Sequence, residues 1–290
     1  MRRRRRITQN SFNFLGFELD IKNSLIALAV AGGVFLILLF IDVAITRVSW
    51  YGVLIGTGFI LALFFAIKLC EIKGLDPELP YDLLWWVFPF SIIGARLYYV
   101  AFNNVTPFFW RAFAIWDGGL AIYGGIIGGF IGLVICCKIK KVDLLKVCDI
   151  VAPGLVLGQA LGRLGCIFAG CCYGVEVQNA ALRWFPIAIN VHGDYHFATN
   201  FYESILNFIL FFVLIWLVRK INMKGLVVAV YLVAYGVYRY FLEFFRDDSQ
   251  LLLTSFGMPV SQLVSVISVI IGTALLSYIL ITNKRKEMRY

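Results

Sequence analysis

Long apolar runs constrain the fold of this chain more than any other feature of its sequence. A helix of about 20 apolar residues crosses the hydrocarbon core of a bilayer and satisfies its own backbone hydrogen bonds without water. The sequence therefore predicts an all-α integral membrane protein, a polytopic bundle of about seven helices with an extra N-terminal span. The predicted spans are residues 24–41, 49–69, 82–101, 118–137, 148–169, 199–218, 225–245 and 258–282.

Composition agrees with a lipid environment. The chain of 290 residues is 61% hydrophobic and only 15% charged, too little charge to cover a water-facing surface. We expect a basic N-terminus with an extra span over residues 1–48, one membrane domain over residues 49–282 and a basic tail over residues 283–290. The first span follows the basic segment RRRRRI, as the apolar region of a signal peptide follows its basic start. The segment FIDVAITR after this span has no small-x-small cleavage site, so we interpret the span as a retained anchor.

The distribution of lysine and arginine predicts the orientation. Most of the 26 basic residues lie in the N-terminal segment, in every second loop between spans, and in the C-terminal tail. These segments all fall on one side of the membrane. Cytoplasmic segments carry this excess, so both ends are expected in the cytoplasm of a bacterial cell. The net charge of +9 is then a topology signal and an attraction to anionic lipid, and nucleic acid is not expected as a partner. The basic residues of the other half are all arginines, namely Arg47, Arg96, Arg111, Arg163, Arg183, Arg239 and Arg246.

Three of these arginines stand out because they fall within spans. An arginine at membrane depth is costly unless it is paired or faces a wet cavity, so Arg96, Arg163 and Arg239 are candidate binding residues. Arg47, Arg111 and Arg183 lie in or beside outer loops, where they can reach lipid head groups.

One predicted helix face is polar inside an apolar segment. In YGVYRYFLEFFRDD, the side chains of Tyr235, Arg239, Glu243 and Arg246 follow helical spacing and share one face. Two readings stay open: an Arg–Glu pair that joins helices, or a guanidinium held by Glu243 so that its remaining donors bind a phosphate. With Arg163 on another helix, the second reading predicts a site for a phospholipid head group.

A further carboxylate and two glycine-rich runs complete the polar signals. Tyr202 and Glu203 open a helix, where Glu203 either stabilises the helix N-terminus or belongs to the site. WDGGLAIYGGIIGG and GLVLGQALGRLG remove side chains from helix faces, which favours close packing of helices and also leaves room for a lipid.

The ordered motifs resemble the prolipoprotein diacylglyceryl transferase family. SWYG, GARLYYV, WDGG, DIVAP, GRLG, YE, YGVYRYFLEFFR and GMPVSQ occur in the family's order between about Trp50 and Tyr278. The resemblance implies a seven-helix enzyme of the bacterial cytoplasmic membrane that moves the diacylglyceryl group of phosphatidylglycerol to a lipobox cysteine and releases glycerol phosphate. No cofactor and no metal is implied. It assigns phosphate binding to Arg163 and Arg239, the ion-pair partner to Glu243, the first-helix tyrosine to Tyr51 and the helix-start pair to Tyr202 and Glu203.

Three motifs differ from the family pattern. Tyr123 stands where the family has a histidine proposed as base, and His196 is one residue out of register with the family's other histidine. In GRLGCIFAGCCYG, Cys166 replaces an asparagine and Cys171 a glutamate. Tyr123, with Cys166 or Cys171, therefore supplies the titratable groups that could replace the missing ones.

The cysteines in this stretch allow four readings. Cys166, Cys171 and Cys172 could form a structural bridge, supply a catalytic thiol, bind a metal, or pack as small residues. The absence of a C-x-x-C motif and of a nearby histidine pair counts against a metal. Two functions follow: a transferase with an anionic phospholipid donor and a lipoprotein or other acceptor, or a non-catalytic protein that binds or moves phospholipid.

Overall fold

A computed structural model describes residues 11–14, 17–20, 50–102, 119–191, 193–247 and 257–287. Seven helices in this part of the chain are long and apolar enough to cross a membrane. The helices predicted from the seven later apolar runs are thus confirmed. The predicted span 24–41, Arg47 and Arg111 lie outside the described residues. The helices are α1 (Trp50–Lys73), α2 (Leu79–Phe102), α3 (Ile122–Lys140), α4 (Leu144–Phe168), α5 (Thr199–Lys220), α6 (Leu226–Glu243) and α7 (Val260–Glu287).

Two short antiparallel hairpins accompany the helices. β1 (Ser11–Phe14) pairs with β2 (Phe17–Asp20), and β3 (Ala188–Val191) pairs with β4 (Asp194–Phe197). The second hairpin and a single 3₁₀ turn at Ala180–Leu182 fill the connection between α4 and α5.

Large apolar side chains cover the outside of the bundle. Trp85 is 81% exposed, Ile122 is 77% exposed and Ile60 is 67% exposed. A continuous apolar surface of this kind is not stable in water and is the surface that lipid covers. The core lies on the opposite helix faces, where Leu69, Val147 and Leu214 are fully buried.

α4 is the central helix of the described bundle and packs against α1, α5 and α6. A buried carboxylate fixes its relation to α6: Asp149 accepts hydrogen bonds from the backbone N–H groups of Gly225 at 2.6 Å and Val228 at 2.9 Å. These are orphan donors at the start of α6, so Asp149 caps that helix from a neighbouring one. This contact helps to hold α4 beside α6, and those two helices carry Arg163 and Arg239.

The first glycine-rich run packs α2 against α3, as predicted. A Cβ atom added at Gly124 would collide with the carbonyl of Gly94, and one added at Gly128 would collide with the carbonyl of Phe90. Helix backbones approach this closely only where side chains are absent.

Candidate functional site

A buried chain of ion pairs, here called the ionic cluster, joins α4, α5 and α6. Arg163 on α4 places Nε 3.0 Å from Oε1 of Glu203 on α5. The other oxygen of Glu203 accepts a 3.0 Å hydrogen bond from Nη1 of Arg239 on α6. Arg239 Nη2 lies 2.9 Å from Glu243 Oε2, and Arg246 Nη1 lies 3.7 Å from that same oxygen. Five charged side chains from three separate segments of the chain thus form one cluster.

Glu203 bridges the two halves of the ionic cluster. Its side chain is 3% exposed and lies between guanidinium groups from two helices. Its contact with Arg163 is ionic, since Glu203 Oε1 accepts no hydrogen bond from the described residues despite the short separation. Glu203 follows the first turn of α5 and faces both arginines, which supports the site reading over simple capping of the helix.

The ionic cluster carries one net positive charge, because three guanidinium groups meet two carboxylates. Arg239 has 9% of its side chain exposed and both of its terminal nitrogens directed to carboxylates. Arg163 keeps 21% of its side chain exposed and meets Glu203 through Nε. Arg246 Nε is buried and donates to no described residue. Unused donors and a net positive charge at membrane depth can hold an anion.

Three thiols gather beside the ionic cluster. Cys166 lies in the last turn of α4, Cys171 and Cys172 follow in the next loop, and the three Sγ atoms all lie within 4.8 Å of one another. Arg163 is close enough to act electrostatically on all three thiols, and Arg246 on that of Cys172. Within the described part of the chain, no other group of three His, Cys, Asp or Glu side chains brings its ligand atoms together in this way. All seven cysteines of the chain are free thiols.

The loop thiols differ in acidity. A hydrogen bond from the Cys166 thiol lowers the pKa of Cys172 well below its ordinary value, and the nearby guanidinium groups act in the same direction. Burial instead raises the pKa of Cys171. The motif comparison pointed to Cys171 as the substitute catalytic group, whereas the structure makes Cys172 the thiol that ionises more readily.

The predicted site tyrosines approach the same region from three helices. Tyr51, at the start of α1, lies beside the three thiols and packs on Gly165, where an added Cβ would lie 2.9 Å from its ring. Tyr123, at the start of α3, lies within electrostatic range of the arginines and glutamate at the α6 end of the ionic cluster. Tyr235, on α6, contacts Arg163 through its hydroxyl.

Two other sequence candidates make their contacts elsewhere. Arg96 is 3% exposed and donates a 3.2 Å hydrogen bond to the carbonyl of Gly119, which secures the segment before α3. Its role in substrate binding stays a prediction. His196 on β4 places a ring nitrogen 3.1 Å from the carbonyl of Gly174 and so belongs to the hairpin region.

Sequence reasoning missed the polar side chains that support the ionic cluster. Ser261 on α7 donates a hydrogen bond from Oγ to Glu243 Oε1. Asn207 is fully buried one turn after Glu203, donates to the Glu203 backbone carbonyl at 2.8 Å and accepts a 2.5 Å hydrogen bond from the Tyr238 hydroxyl. The available signal was a pair of polar residues four positions apart within an apolar run.

The second glycine-rich run leaves open space next to the site. A Cβ added at Gly158 or Gly162 would meet nothing within 4 Å, although both residues lie on the central helix α4. Gly162 directly precedes Arg163 in the chain. The Cα of Gly158 still lies 3.4 Å from the position of a Cβ added at Gly58 on α1, so the run packs on one side and leaves space on the other, where there is room for a lipid as expected.

The fold and the site define a class of protein: a multi-pass membrane protein with a buried, net positive cluster that is chemically suited to an anionic lipid head group. A sequence model of prolipoprotein diacylglyceryl transferase matches residues 38–278. The chain belongs to the prolipoprotein diacylglyceryl transferase family, which confirms the resemblance and makes this a bacterial membrane protein.

Individual relatives agree with the family assignment. Phosphatidylglycerol–prolipoprotein diacylglyceryl transferase 1 of Clostridium perfringens (strain 13 / Type A) is 38% identical over 250 residues, which cover 84% of this chain and 94% of that protein. The phosphatidylglycerol–prolipoprotein diacylglyceryl transferase of Oceanobacillus iheyensis is 35% identical over 82% of this chain and 86% of its own. The protein of that name from Streptococcus uberis is 36% identical over 84% of this chain and 94% of its own.

Proposed function

We propose that this protein is a transferase that moves the diacylglyceryl group of phosphatidylglycerol to the lipobox cysteine thiol of a prolipoprotein and releases glycerol phosphate. The observation that carries the proposal is the ionic cluster, a buried site with one net positive charge in a chain of this family. Phosphatidylglycerol has one negative charge on its phosphate, so its binding neutralises the cluster.

The donor phosphate binds between Arg163 and Arg246, and Arg239 positions the two carboxylates. This division differs from the assignment by motif, which gave phosphate binding to Arg163 and Arg239. Both terminal nitrogens of Arg239 lie on carboxylates, whereas Arg246 has a buried donor with no partner among the described residues. Planar guanidinium groups suit a phosphate because two parallel donors can bind two of its oxygens.

The reaction needs positive charge at the leaving group and a deprotonated acceptor. The acceptor thiolate attacks the glyceryl carbon, the bond from that carbon to the phosphate oxygen breaks, and the phosphate takes the electron pair. Guanidinium groups already fixed around the phosphate stabilise the charge that develops there. Tyr123 and Cys171, which stand at the family's histidine and glutamate positions, both lie beside this region.

The distribution of basic residues supports a cytoplasmic C-terminus and an outward-facing site. Lys138, Lys140 and Lys141 lie at the end of α3, opposite the end of α4 that carries Arg163 and the thiols. Under the positive-inside rule, the ionic cluster then lies in the outer half of the membrane. The division into an N-terminal segment 1–48, a membrane domain 49–282 and a basic tail 283–290 remains part of this proposal.

Purified protein in nanodiscs with labelled phosphatidylglycerol tests the function. With a lipobox peptide we expect release of glycerol phosphate and a peptide whose mass has increased by one diacylglyceryl group, and with the Cys→Ser form of the peptide we expect neither. Release without peptide would point to another acceptor. Phosphatidylglycerol binding without release under any condition would favour a lipid-binding protein and contradict the proposal.

A further inference from the structure

The three thiols at the end of α4 have the geometry of a metal site that neither the family nor the sequence motifs assign. Their Sγ atoms lie within 4.8 Å of one another. Zinc–sulfur bonds of about 2.3 Å place the sulfurs of a tetrahedral site about 3.8 Å apart. Small changes of the side-chain torsions of Cys166, Cys171 and Cys172 therefore suffice to close the site around an ion.

The loop that carries two of these thiols is held in place by its neighbours. The backbone N–H of Cys171 donates to the carbonyl of Cys166 at 3.1 Å. Thr199 Oγ1 donates to the carbonyl of Cys172 at 3.1 Å, and Asn200 Nδ2 donates to that of Cys171 at 3.2 Å. Cys172 has a φ of 60°, a left-handed conformation that is strained for a residue with a side chain. Such strain persists where surrounding contacts enforce it, and it is common at functional sites.

We propose that Cys166, Cys171 and Cys172 bind a zinc ion as a three-thiolate site whose fourth position takes the thiol of the acceptor cysteine. The fourth position follows from the ligand count, because the described residues place no further His, Cys, Asp or Glu side chain in this group. Structural zinc sites have four protein ligands, whereas catalytic sites have three and an open position. Copper(I) also prefers thiolate ligands, but three of them complete its trigonal coordination and would leave no position for the acceptor thiol.

The charges around the site favour thiolate ligands. A zinc ion reduces the charge of three thiolates from −3 to −1. Arg163 lies within electrostatic range of all three sulfurs and Arg246 within range of that of Cys172, and both stabilise the remaining negative charge. The site also lies beside the ionic cluster, so an acceptor bound to the ion is placed next to the donor phosphate.

The ion supplies the deprotonation that the family's histidine position, occupied here by Tyr123, does not provide. This step rests on the proposed transferase function. A thiol that binds zinc loses its proton at neutral pH, here to water. The sulfur electron pair then forms the bond to the glyceryl carbon, and the carbon–oxygen bond to phosphate breaks toward oxygen. No group is oxidised or reduced, and the neutral thioether product leaves the ion because it is a weak zinc ligand.

Metal content tests the site without any assay of activity. Protein purified under reducing conditions is stripped with a chelator, reloaded with zinc and analysed by elemental mass spectrometry, with an expected content of about one ion per chain. Replacing a residue that only hydrogen-bonds to a metal ligand typically weakens metal binding by roughly 10- to 100-fold. We expect a larger loss of zinc affinity when a ligand itself is replaced, in Cys166→Ser, Cys171→Ser and Cys172→Ser. Cys148→Ser and Cys70→Ser are matched controls with free thiols at the other end of the helices, and they should bind zinc normally.

Cobalt(II) reports on the coordination in the wild-type chain, so this test does not depend on the folding of a variant. We expect thiolate-to-cobalt charge-transfer absorption that increases when a lipobox peptide adds a fourth sulfur. The Cys→Ser peptide should leave the spectrum unchanged. A spectrum without charge-transfer bands, or a disulfide among the three cysteines in the reduced preparation, would overturn the proposal.

The outcomes separate this proposal from the proposed function. Equal release of glycerol phosphate by stripped and zinc-loaded protein would leave the transferase function standing and refute the role of the ion. Stoichiometric zinc with an acceptor-dependent cobalt spectrum, but no transfer with any donor lipid, would refute the function and retain the metal site. Loss of transfer on stripping that only zinc or cobalt restores supports both.

Discussion

The sequence motifs assign phosphate binding to both Arg163 and Arg239, but the structure predicts that removing each side chain has a different consequence. Both contact Glu203, one from each side. Arg239 is enclosed and holds two carboxylates, whereas Arg163 is partly exposed and contacts one. We therefore expect Arg239→Ala to reduce the stability of the fold and Arg163→Ala to reduce the affinity for phosphatidylglycerol.

The cost of Arg239→Ala follows from what it leaves behind. Glu203 and Glu243 have only 3% and 2% of their side chains exposed and would lose contacts of 3.0 and 2.9 Å. Removing one partner of a buried ion pair typically costs about 3–5 kcal/mol because the other charge stays buried without compensation. Because Glu203 keeps Arg163 and Glu243 keeps Arg246 and Ser261, we expect the free energy of unfolding to fall by an amount near the lower end of that range, with loss of lipid binding as a consequence.

Arg163→Ala leaves Glu203 paired with Arg239, so its effect on stability is smaller. The side chain of Arg163 is 21% exposed and can be replaced by water, so the loss should stay below the roughly 3–5 kcal/mol of a fully broken buried pair. A charge-assisted contact to phosphate contributes about 1.5–3 kcal/mol, which corresponds to a loss of roughly 10- to 150-fold in phosphatidylglycerol affinity. Arg163→Lys should recover part of this affinity, since lysine keeps the charge but cannot bind two oxygens in parallel.

Two measurements separate these effects. Unfolding in mixed micelles with increasing fractions of denaturing detergent gives stability, and titration with short-chain phosphatidylglycerol, with phosphatidylcholine as the reference lipid, gives affinity. Arg183→Ala is the control, because Arg183 donates to the backbone carbonyls of Val177 and Gln178 and lies over the ring of Tyr195, outside the ionic cluster, and its removal should change neither quantity. Equal loss of stability in the two variants, or unchanged lipid affinity in folded Arg163→Ala protein, would refute this reasoning.

Three further predictions concern packing, capping and the thiols. Gly128→Ala should destabilise the bundle by about 1–3 kcal/mol through overpacking between α2 and α3, whereas Gly158→Ala, which faces open space, should be close to neutral in the same unfolding assay. Asp149→Ala should cost about 1–3 kcal/mol because two N–H groups at the start of α6 lose their acceptor, and Asp149→Asn should cost less; equal costs would contradict the capping role. Cys171→Ser should reduce turnover far more than Cys148→Ser at equal protein stability, and similar turnover in both would remove the case for a functional thiol.

The helices could be predicted from the sequence because their signal is local. Inside lipid, each apolar run must satisfy its own backbone hydrogen bonds, so run length alone determines a helix such as α5. The pairing of Arg239 with Glu243 was also predictable, since a spacing of four residues on one helix brings two side chains together. Family membership could be predicted from the sequence for a related reason, because it depends on the order of short motifs along the chain and not on their arrangement in space.

The partners of these local features were decided by the tertiary structure. Nothing in the sequence shows that Glu203 lies between Arg163 and Arg239, because that contact depends on how α4, α5 and α6 pack. The same packing directs both terminal nitrogens of Arg239 to carboxylates and leaves a buried donor on Arg246, which changes the arginine expected to meet the phosphate. Contacts between helices depend on the rotation and depth of each helix, and these are set by side chains along its whole length.

The thiols show the same division most clearly. The sequence placed Cys166, Cys171 and Cys172 within one short stretch, and spacing alone counted against a metal because it lacks a familiar ligand motif. Only the turn after α4, fixed by hydrogen bonds from the start of α5, brings the three sulfurs within 4.8 Å. Sequence thus determined which groups are present, while the folded loop determined their geometry, because ligand distances depend on backbone torsions that distant residues hold in place.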